Sequence, residues 1–348
     1  MAGIEHDAII AGAGPAGLHA AYCCERLGLD VLLLEEHAAI GRPNHCSGLI
    51  SANIRKFVPL KSEFVEHEVK GAILHPPNGS EVRLEKPGTA AYVVDRAKFD
   101  NFLASRVKSK IRFKSRIDAF TVLDDRVVVK AGGKAYDARC VIACDGSNSL
   151  VRKQMGVRPK EMLNGVIAVT KEANSSGFVD IWYDKKRTDG FVWKIPRGCS
   201  TEYGMLGTKA GLGQLKEFFG LTGKCDIRGG LIPLGPPKTY FDRVLLVGDA
   251  ACQAKPWSGG GVIYSLAAAG MAARTVKDAA DQNDFSEKSL KVYEDGWKQA
   301  FGRQIRLGML ARSAYRRMGN RGINLALGGA GRAGFLLNRL DMDFVVGV

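Results

Sequence analysis

Three glycine-and-acid constellations carry the chemistry of this 348-residue chain. The first is Gly12-Ala13-Gly14-Pro15-Ala16-Gly17, with Glu35 and Glu36 following 23 and 24 positions after Gly12. Gly12 permits a tight turn, Gly14 lets the backbone approach a diphosphate with no Cβ in the way, and Gly17 allows close helix–strand packing. Free N–H groups at the start of the next helix hold the phosphates, and Glu35 can accept from ribose hydroxyls. The second constellation is Asp145-Gly146. The third is Gly248-Asp249, followed by Lys255-Pro256-Trp257-Ser258-Gly259-Gly260-Gly261. A carboxylate at a strand end such as Asp249 can bind polyol hydroxyls. Glycines opening a helix offer bare N–H groups to an electron-rich ring edge. A thiol and an imidazole, Cys46 and His45, stand apart in a polar loop over 41–50. Buried cysteine is commonly an inert small hydrophobe, and thiol reactivity depends on local surroundings. His45 is either a proton source or a surface imidazole.

The elements around these residues follow from apolar patterning. Residues 7–11 read as a buried parallel strand, 18–27 as a helix stopped by Gly28, and 31–34 as a second strand ending at Glu35. This β-α-β unit turns a weak glycine pattern into a dinucleotide site. Residues 140–144 form a strand running into Asp145-Gly146, with a helix starting in 147–152. Residues 243–247 form another, and 262–280 an Ala-rich helix. Gly329-Ala-Gly331-Arg-Ala-Gly334 fits the same glycine pattern, but no second strand can follow it. It reads as a turn between helical pieces.

Length favours two domains. Apolar residues at 46% and charged residues at 25% are those of a globular protein. The formal charge of +14 favours anionic partners without choosing among them. Eight cysteines with no C-x-x-C pair and few histidines give no metal pattern. No secretory signal is visible, and no apolar stretch reaches the ~20 residues of a membrane span. Reduced thiols and a cytoplasmic location, at most peripheral at the membrane face, are the expectation.

Together the motifs resemble the FAD fingerprints of the glutathione-reductase-like flavoproteins, in the para-hydroxybenzoate-hydroxylase branch. Tyr92-Val-Val-Asp95-Arg96-Ala-Lys-Phe99-Asp100 is similar to that branch's Asp-Arg-x-x-Phe segment. The resemblance implies that Arg96 opens a helix and reaches the flavin's phosphate–ribose region. Three segments narrow it: 41–50, 190–198 and 255–261. They resemble the geranylgeranyl reductase family, flavoenzymes that saturate double bonds of polyprenyl chains. That family's Tyr-x-Trp-x-Phe-Pro-Lys-Gly motif is met here by Phe191, Trp193, Ile195, Pro196, Arg197 and Gly198.

The resemblance implies an α/β fold: a Rossmann-like FAD-binding domain with an inserted β-rich substrate domain and a helical C-terminal segment. The FAD-binding domain is assigned to 1–60, 95–155 and 240–285, the prenyl-lipid domain to 61–94 and 156–239, and the basic tail to 286–348. FAD would be held by Gly12, Gly14, Ala16, Gly17, Glu35, Glu36, Arg42, Cys46, Ser47, Gly48, Arg96, Asp145, Gly146, Gly248, Asp249, Pro256, Gly259, Gly260 and Gly261. Cys46, His45 and Trp193 are the candidate catalytic residues, and no metal is expected. Phe191, Trp193, Pro196, Gly198, Trp182 and Trp257 would bind substrate. Aromatic side chains line an isoprenoid tunnel at little rotamer cost. The alternative for the aromatic group, which includes Phe178, Ile181 and Tyr183, is the plain core face of a sheet.

The activity implied is reduction of geranylgeranyl chains, with archaeal-type ether phospholipids first. Alternatives are a polyprenyl-quinone or chlorophyll-type prenyl reductase, an apolar-substrate flavin monooxygenase, and a lipid-binding flavoprotein without turnover. NAD(P)H and ferredoxin are both open as electron donor. Residues 286–348 hold 11 Lys+Arg against 5 Asp+Glu. Trp297, Phe301, Ile305 and Met309 recur there at helical spacing. Such a stripe either lies on an anionic membrane or packs on the core. Nucleic acid is not expected, because no nucleic-acid module accompanies the charge.

Overall fold

The computed structural model describes residues 4–332 and Asp343. The helices are α1 (Pro15–Arg26), α2 (Arg96–Ser105), α3 (Leu150–Gln154), α4 (Leu212–Phe219), α5 (Val262–Gln282), α6 (Glu287–Trp297), α7 (Arg303–Arg317) and α8 (Asn320–Arg332). A single π turn, Lys298–Gly302, joins α6 to α7.

Residues with short apolar runs form an eight-stranded sheet. His6–Ala11 lies at its centre, flanked in parallel by Val31–Leu34 and Lys134–Ala143. Val244–Leu246 extends it in parallel beside Lys134–Ala143, and Ile111–Arg112 beside Val31–Leu34. Both faces of the central strand are covered, so its apolar residues alternate between two cores. Ala8 and Ile10 pack under α1 and α5, whereas Ile9 and Ala11 pack with Val127, Val129 and Val151 on the far side. This is the reason the run is continuously apolar rather than alternating. Small residues Ala267, Ala268, Ala269, Ala272 and Ala273 let α5 approach α1 closely.

A seven-stranded, largely antiparallel sheet lies beside it. Its order is Asp226–Leu234, Glu161–Thr170, Thr201–Gly207, Phe191–Pro196, Phe178–Trp182, Gly71–His75 and Val82–Glu85. Only Phe178–Trp182 and Gly71–His75 run parallel. One face carries Ile167, Val179, Trp193, Ile195 and Leu206. The other packs Val166, Val192, Tyr203 and Met205 against Leu215 of α4. Leu49–Ser51, Ala91–Val94 and Val65–Val69 make a third, three-stranded sheet.

One sequence expectation is corrected, and one pair of alternatives is decided. Gly329, Ala330 and Gly331 fall within α8 rather than in a turn, and Gly334 lies outside the described residues. The Trp297, Phe301 and Ile305 stripe is buried and faces the core. Tyr264 of α5 stacks on Phe301 with ring centroids 4.5 Å apart, and Trp297 stacks on Phe301 at 5.6 Å. A bilayer could not reach these rings. Among the described residues no helix is long and apolar enough to cross a membrane, and no His/Cys/Asp/Glu group could hold a metal ion.

Candidate functional site

A cavity of about 1190 Å³ runs from the glycine turns of the large sheet to the apolar face of the seven-stranded one. At the first end, the three motif glycines have three different reasons to be glycine. Gly12 sits at φ +89°, and a Cβ there would lie 2.6 Å from the Cys144 carbonyl oxygen. A Cβ on Gly17 would lie 1.9 Å from the Gly12 carbonyl oxygen. Around Gly14 nothing stands within 4 Å, so its bareness leaves open cavity rather than relieving a protein contact.

Glu35 is buried and held from both sides. One oxygen accepts from the Ala13 amide at 2.8 Å, the other from the His37 amide at 2.9 Å and its Nδ1 at 2.7 Å. Asp145 accepts from the Leu150 and Val151 amides at the start of α3 through Oδ2, while its buried Oδ1 has no hydrogen-bond partner. Burial raises its pKa against those hydrogen bonds. Burial likewise raises Asp249, opposed by the nearby Arg96 and Arg152 guanidiniums. An orphaned buried acceptor, a lining carboxylate and an open glycine cradle in one cavity fit a hydroxyl-rich diphosphate cofactor.

Arg152, unassigned from the sequence, ties two of the turns together. It donates to the Ser147 carbonyl at 2.6 Å and to the carbonyls of Asp249 and Ala250 at 3.0 and 3.2 Å. Its signal is a lone arginine in the first turn of α3, which spacing alone does not distinguish from a solvated one. The Gly248 turn is braced from the tail. Its amide donates to Gln253 Oε1 at 2.8 Å, Gln253 Nε2 donates to the Tyr293 hydroxyl at 3.1 Å, and that hydroxyl donates to the Leu246 carbonyl at 2.7 Å. Lys255, which also lines the cavity, pairs at 2.7 Å with the fully buried Asp343.

Between the two ends lies the 41–50 loop. Asp95 caps α2 by accepting from the Lys98 amide. This starts α2 so that Arg96 pairs with Asp100 at 3.0 and 2.9 Å and lies near the Cys46 side chain. Cys46 Sγ also accepts from the Gly48 amide at 3.4 Å. His45 Nδ1 donates to the Gly229 carbonyl at 2.6 Å.

At the other end the wall is one sheet face: Ala72, Leu74, Val179, Ile181, Leu206 and Ile232, with Phe191 and Trp193. Trp193 lies flat on its cross-strand neighbour Gly204, where a Cβ would fall 2.0 Å from the indole. Trp193 Nε1 donates to Glu202 Oε1 at 3.0 Å. Glu202 is fully buried and its Oε2 accepts from Arg197 at 2.8 Å. Arg197 also donates to the Ser47 carbonyl at 2.6 Å and to Glu66. One buried ion pair therefore joins the loop beside Cys46 to the indole of the apolar wall. Burial raises the Glu202 pKa, opposed by Arg197 and by hydrogen bonds from Ser47 and Trp193. Glu202 was invisible in the sequence: a single acid in an apolar strand reads as a surface residue.

Of the residues expected at the cofactor, Gly12, Gly14, Ala16, Glu35, Glu36, Arg42, Cys46, Ser47, Arg96, Asp145, Gly146, Asp249, Gly259, Gly260 and Gly261 line the cavity. Gly17, Gly48, Gly248 and Pro256 do not; they shape it from behind, Gly48 against the Val94 carbonyl and Pro256 against Gly308. His45, Cys46, Trp193, Phe191 and Trp257 line it as well. Pro196, Gly198 and Trp182 lie outside its wall. Trp182 is the clearest correction. It alternates with Ile181, so it faces the opposite side of the sheet, stacked on His75 at 4.5 Å and edge-on to Phe219 at 5.3 Å. Tyr183, which lines the cavity, is pushed up to about 12 by burial.

The chain matches the FAD binding domain family over residues 5–207. It is 30% identical to the digeranylgeranylglycerophospholipid reductase of Methanococcus aeolicus, over 85% of this chain and 83% of that one. It is 29% identical to digeranylgeranylglycerophospholipid reductase 2 of Methanopyrus kandleri, over 92% and 89%. Its fold matches a geranylgeranyl bacteriochlorophyll reductase-like protein from Thermoplasma acidophilum with a TM-score of 0.85 at 21% identity, covering 99% of this chain and 94% of that one. A halogenase solved in complex with FAD superposes with a TM-score of 0.72 at 14% identity, over 98% and 87%. With FAD as its cofactor, the chain belongs to the FAD-binding-domain flavoproteins and, among them, to the digeranylgeranylglycerophospholipid reductase family.

Proposed function

We propose that this protein saturates carbon–carbon double bonds in the geranylgeranyl chains of an ether phospholipid. The observation that carries the reading is the continuity of the cavity. Turns suited to FAD and an apolar sheet face share one space, with the Cys46–Ser47 loop and Trp193 between them. The relatives named for a digeranylgeranylglycerophospholipid agree with such a wall.

Bound and reduced, FAD supplies a hydride to one alkene carbon. The chain's own residues supply placement, dryness and the balancing proton. An isolated alkene is a poor hydride acceptor, so alignment in a water-free channel carries much of the rate. Ile181, Leu206, Phe191 and the Trp193 indole provide that channel. Cys46 and His45 are the proton-bearing groups on the loop. His45 Nδ1 is committed to the Gly229 carbonyl, so a proton from this ring would leave from Nε2 of the imidazolium. The Cys46 sulfur accepts from the Gly48 amide, and its own S–H remains for donation.

The test is anaerobic incubation of dithionite-reduced protein with geranylgeranyl ether lipids, followed by mass analysis. A gain of two hydrogens per double bond supports the reading. Product that forms only with oxygen, or that carries added oxygen, overturns it in favour of a monooxygenase. Replacing dithionite by NADPH or by reduced ferredoxin, and following bleaching of the flavin band, assigns the donor.

A further inference from the structure

Helix α7 has two faces of opposite character. Ile305, Gly308 and Arg312 are buried, and Arg312 is neutralised by Glu161 at 2.8 and 2.9 Å. The outer face exposes Arg303, Arg306, Leu307, Leu310, Arg317 and the following Met318. Leu307 and Leu310 are 52% and 63% exposed, and Leu325 on α8 is 80% exposed. Leu307 and Leu310 stand three residues apart on α7, and such exposure of large apolar side chains in one place marks an interaction surface. Along the chain here the charge has one sign: no acidic residue occurs between Asp295 and Asp341. Arg303 and Arg306 form no salt bridge with the described residues.

The buried face of α7, opposite the outer one, adjoins the cavity. Trp257 lines the cavity and is 38% exposed. Its ring lies against α7, because a Cβ on Gly308 would fall 2.3 Å from it. Tyr315, on the same helix, donates to the Gly190 carbonyl and packs edge-on to the cavity residue Tyr183. Helix α8 is fixed to the same region, where Asn320 Nδ2 donates to Asp184 and its Oδ1 accepts from the Lys185 amide.

We propose that the outer face of α7 docks on an anionic lipid bilayer, leaving one helix between the membrane and the cavity wall at Trp257. Leucines flanked by arginines suit a headgroup boundary, the leucines entering the acyl region and the arginines pairing with phosphates. A second copy of this chain suits the face less well, since a two-fold contact would bring the arginines of both copies together. Docking rests on the surface alone. Its use, delivery of a prenyl chain without passage through water, rests on the proposed reductase activity.

The experiment is sedimentation of the FAD-loaded full chain with vesicles of phosphatidylcholine alone or mixed with phosphatidylglycerol. Binding is expected only with the anionic mixture and should weaken as salt rises. Arg303→Gln with Arg306→Gln should lower partitioning roughly 25-fold, at about fivefold for each lost cation. Leu307→Ser with Leu310→Ser should lower it as well. Both variants should keep the yellow holoprotein and reduce detergent-dispersed substrate at the wild-type rate. Hydrogen exchange on the wild type supplies a check independent of any variant: vesicles should protect residues 303–317. No anionic binding, unchanged exchange in 303–317, or a dimer that covers Leu310 with or without vesicles would overturn the proposal. Vesicle binding without prenyl reduction would leave the docking face standing and remove the reductase reading.

Discussion

The two ends of the cavity are built from different materials. At the nucleotide end the working parts are backbone: amides at helix starts, carbonyls clamped by Arg152, and glycines whose neighbours leave no room for a side chain. At the lipid end they are side chains standing on a pleated sheet, and a single buried ion pair holds them to the rest. A backbone device restricts residue type at fixed spacing, because the geometry forbids a Cβ. A sheet-face device restricts only polarity and register, and many sequences meet it. The first end should therefore fail abruptly under small substitutions, the second gradually, except at its ion pair.

Gly17→Val gives the largest expected effect. Its Cβ would meet a backbone oxygen at 1.9 Å, so the strand–helix turn itself must move. No holoprotein should be recovered, and the melting temperature of whatever folds should fall steeply. Gly14→Val is the contrast within the same motif. Its side chain meets open space in the protein but occupies the place of the diphosphate. Flavin should be lost while circular dichroism and the melting temperature of the apoprotein stay near wild type. A yellow Gly14→Val protein would break the comparison at its root.

Next in size is Glu202→Ala. Removing it leaves Arg197 buried without its full counter-charge, and breaking such a pair costs about 3–5 kcal/mol. Urea denaturation measures this. Glu202→Gln keeps an acceptor for the Trp193 indole and should retain flavin while lowering prenyl turnover. If Glu202 acts through Trp193, its effect on turnover should vanish in a Trp193→Phe background; additive losses would mean that it acts elsewhere.

These cases explain what could be read in advance. The β-α-β unit, Asp145-Gly146 and Gly248-Asp249 were legible because turn geometry selects glycine and acid at fixed intervals. The wall at Phe191 and Trp193 was legible as apolar, and only a family resemblance gave it a use. Trp182 was misplaced because a one-residue step along a strand reverses the face, and both faces of this sheet are apolar. Arg152, Glu202 and Asp343 were illegible for another reason. Arg152 and Asp343 depend on partners 97 and 88 residues away, and Glu202 on its complete burial, none of which local patterning encodes. In the tail, the apolar stripe at Trp297 was legible as a core face, whereas the exposed leucines of α7 passed unnoticed beside it.

A pH effect sharpens the comparison at the nucleotide end. His19 on α1 is buried against Tyr22 and Phe57, its Nδ1 lacks a hydrogen-bond partner, and burial, helped by Arg106, lowers its pKa to about 4. The unfolded chain, near 6.5, binds this proton more readily than the folded one. The contribution of neutral His19 is therefore complete above pH 6.5 and is lost as pH falls toward 4. The shift corresponds to about 3 kcal/mol. Asp145, Asp249 and Glu202 have raised pKa values and act in the opposite direction, since the folded state takes up their protons first. The measurement is thus a difference: stability against pH for wild type minus His19→Leu. The wild type should lose more stability than the variant between pH 6.5 and 4. Parallel curves would show that His19 titrates alike in both states.

The smallest expected effect is the most exacting for the lipid end. Trp182 and Trp193 are both tryptophans on neighbouring strands, and Trp193 is cross-strand to Ile181. Trp193→Phe removes an indole N–H from a buried carboxylate and a ring from the cavity wall. Prenyl turnover should drop roughly tenfold, the scale of one lost contact in an apolar pocket. Trp182→Phe changes only the packing against His75 and Phe219, on the far face. Stability should fall by about 1 kcal/mol, within the range for a conservative core swap, and turnover should stay within about twofold. Equal losses of turnover in the two variants would mean that the sheet is read from both faces, and that the substrate wall does not obey the strand alternation that defines it.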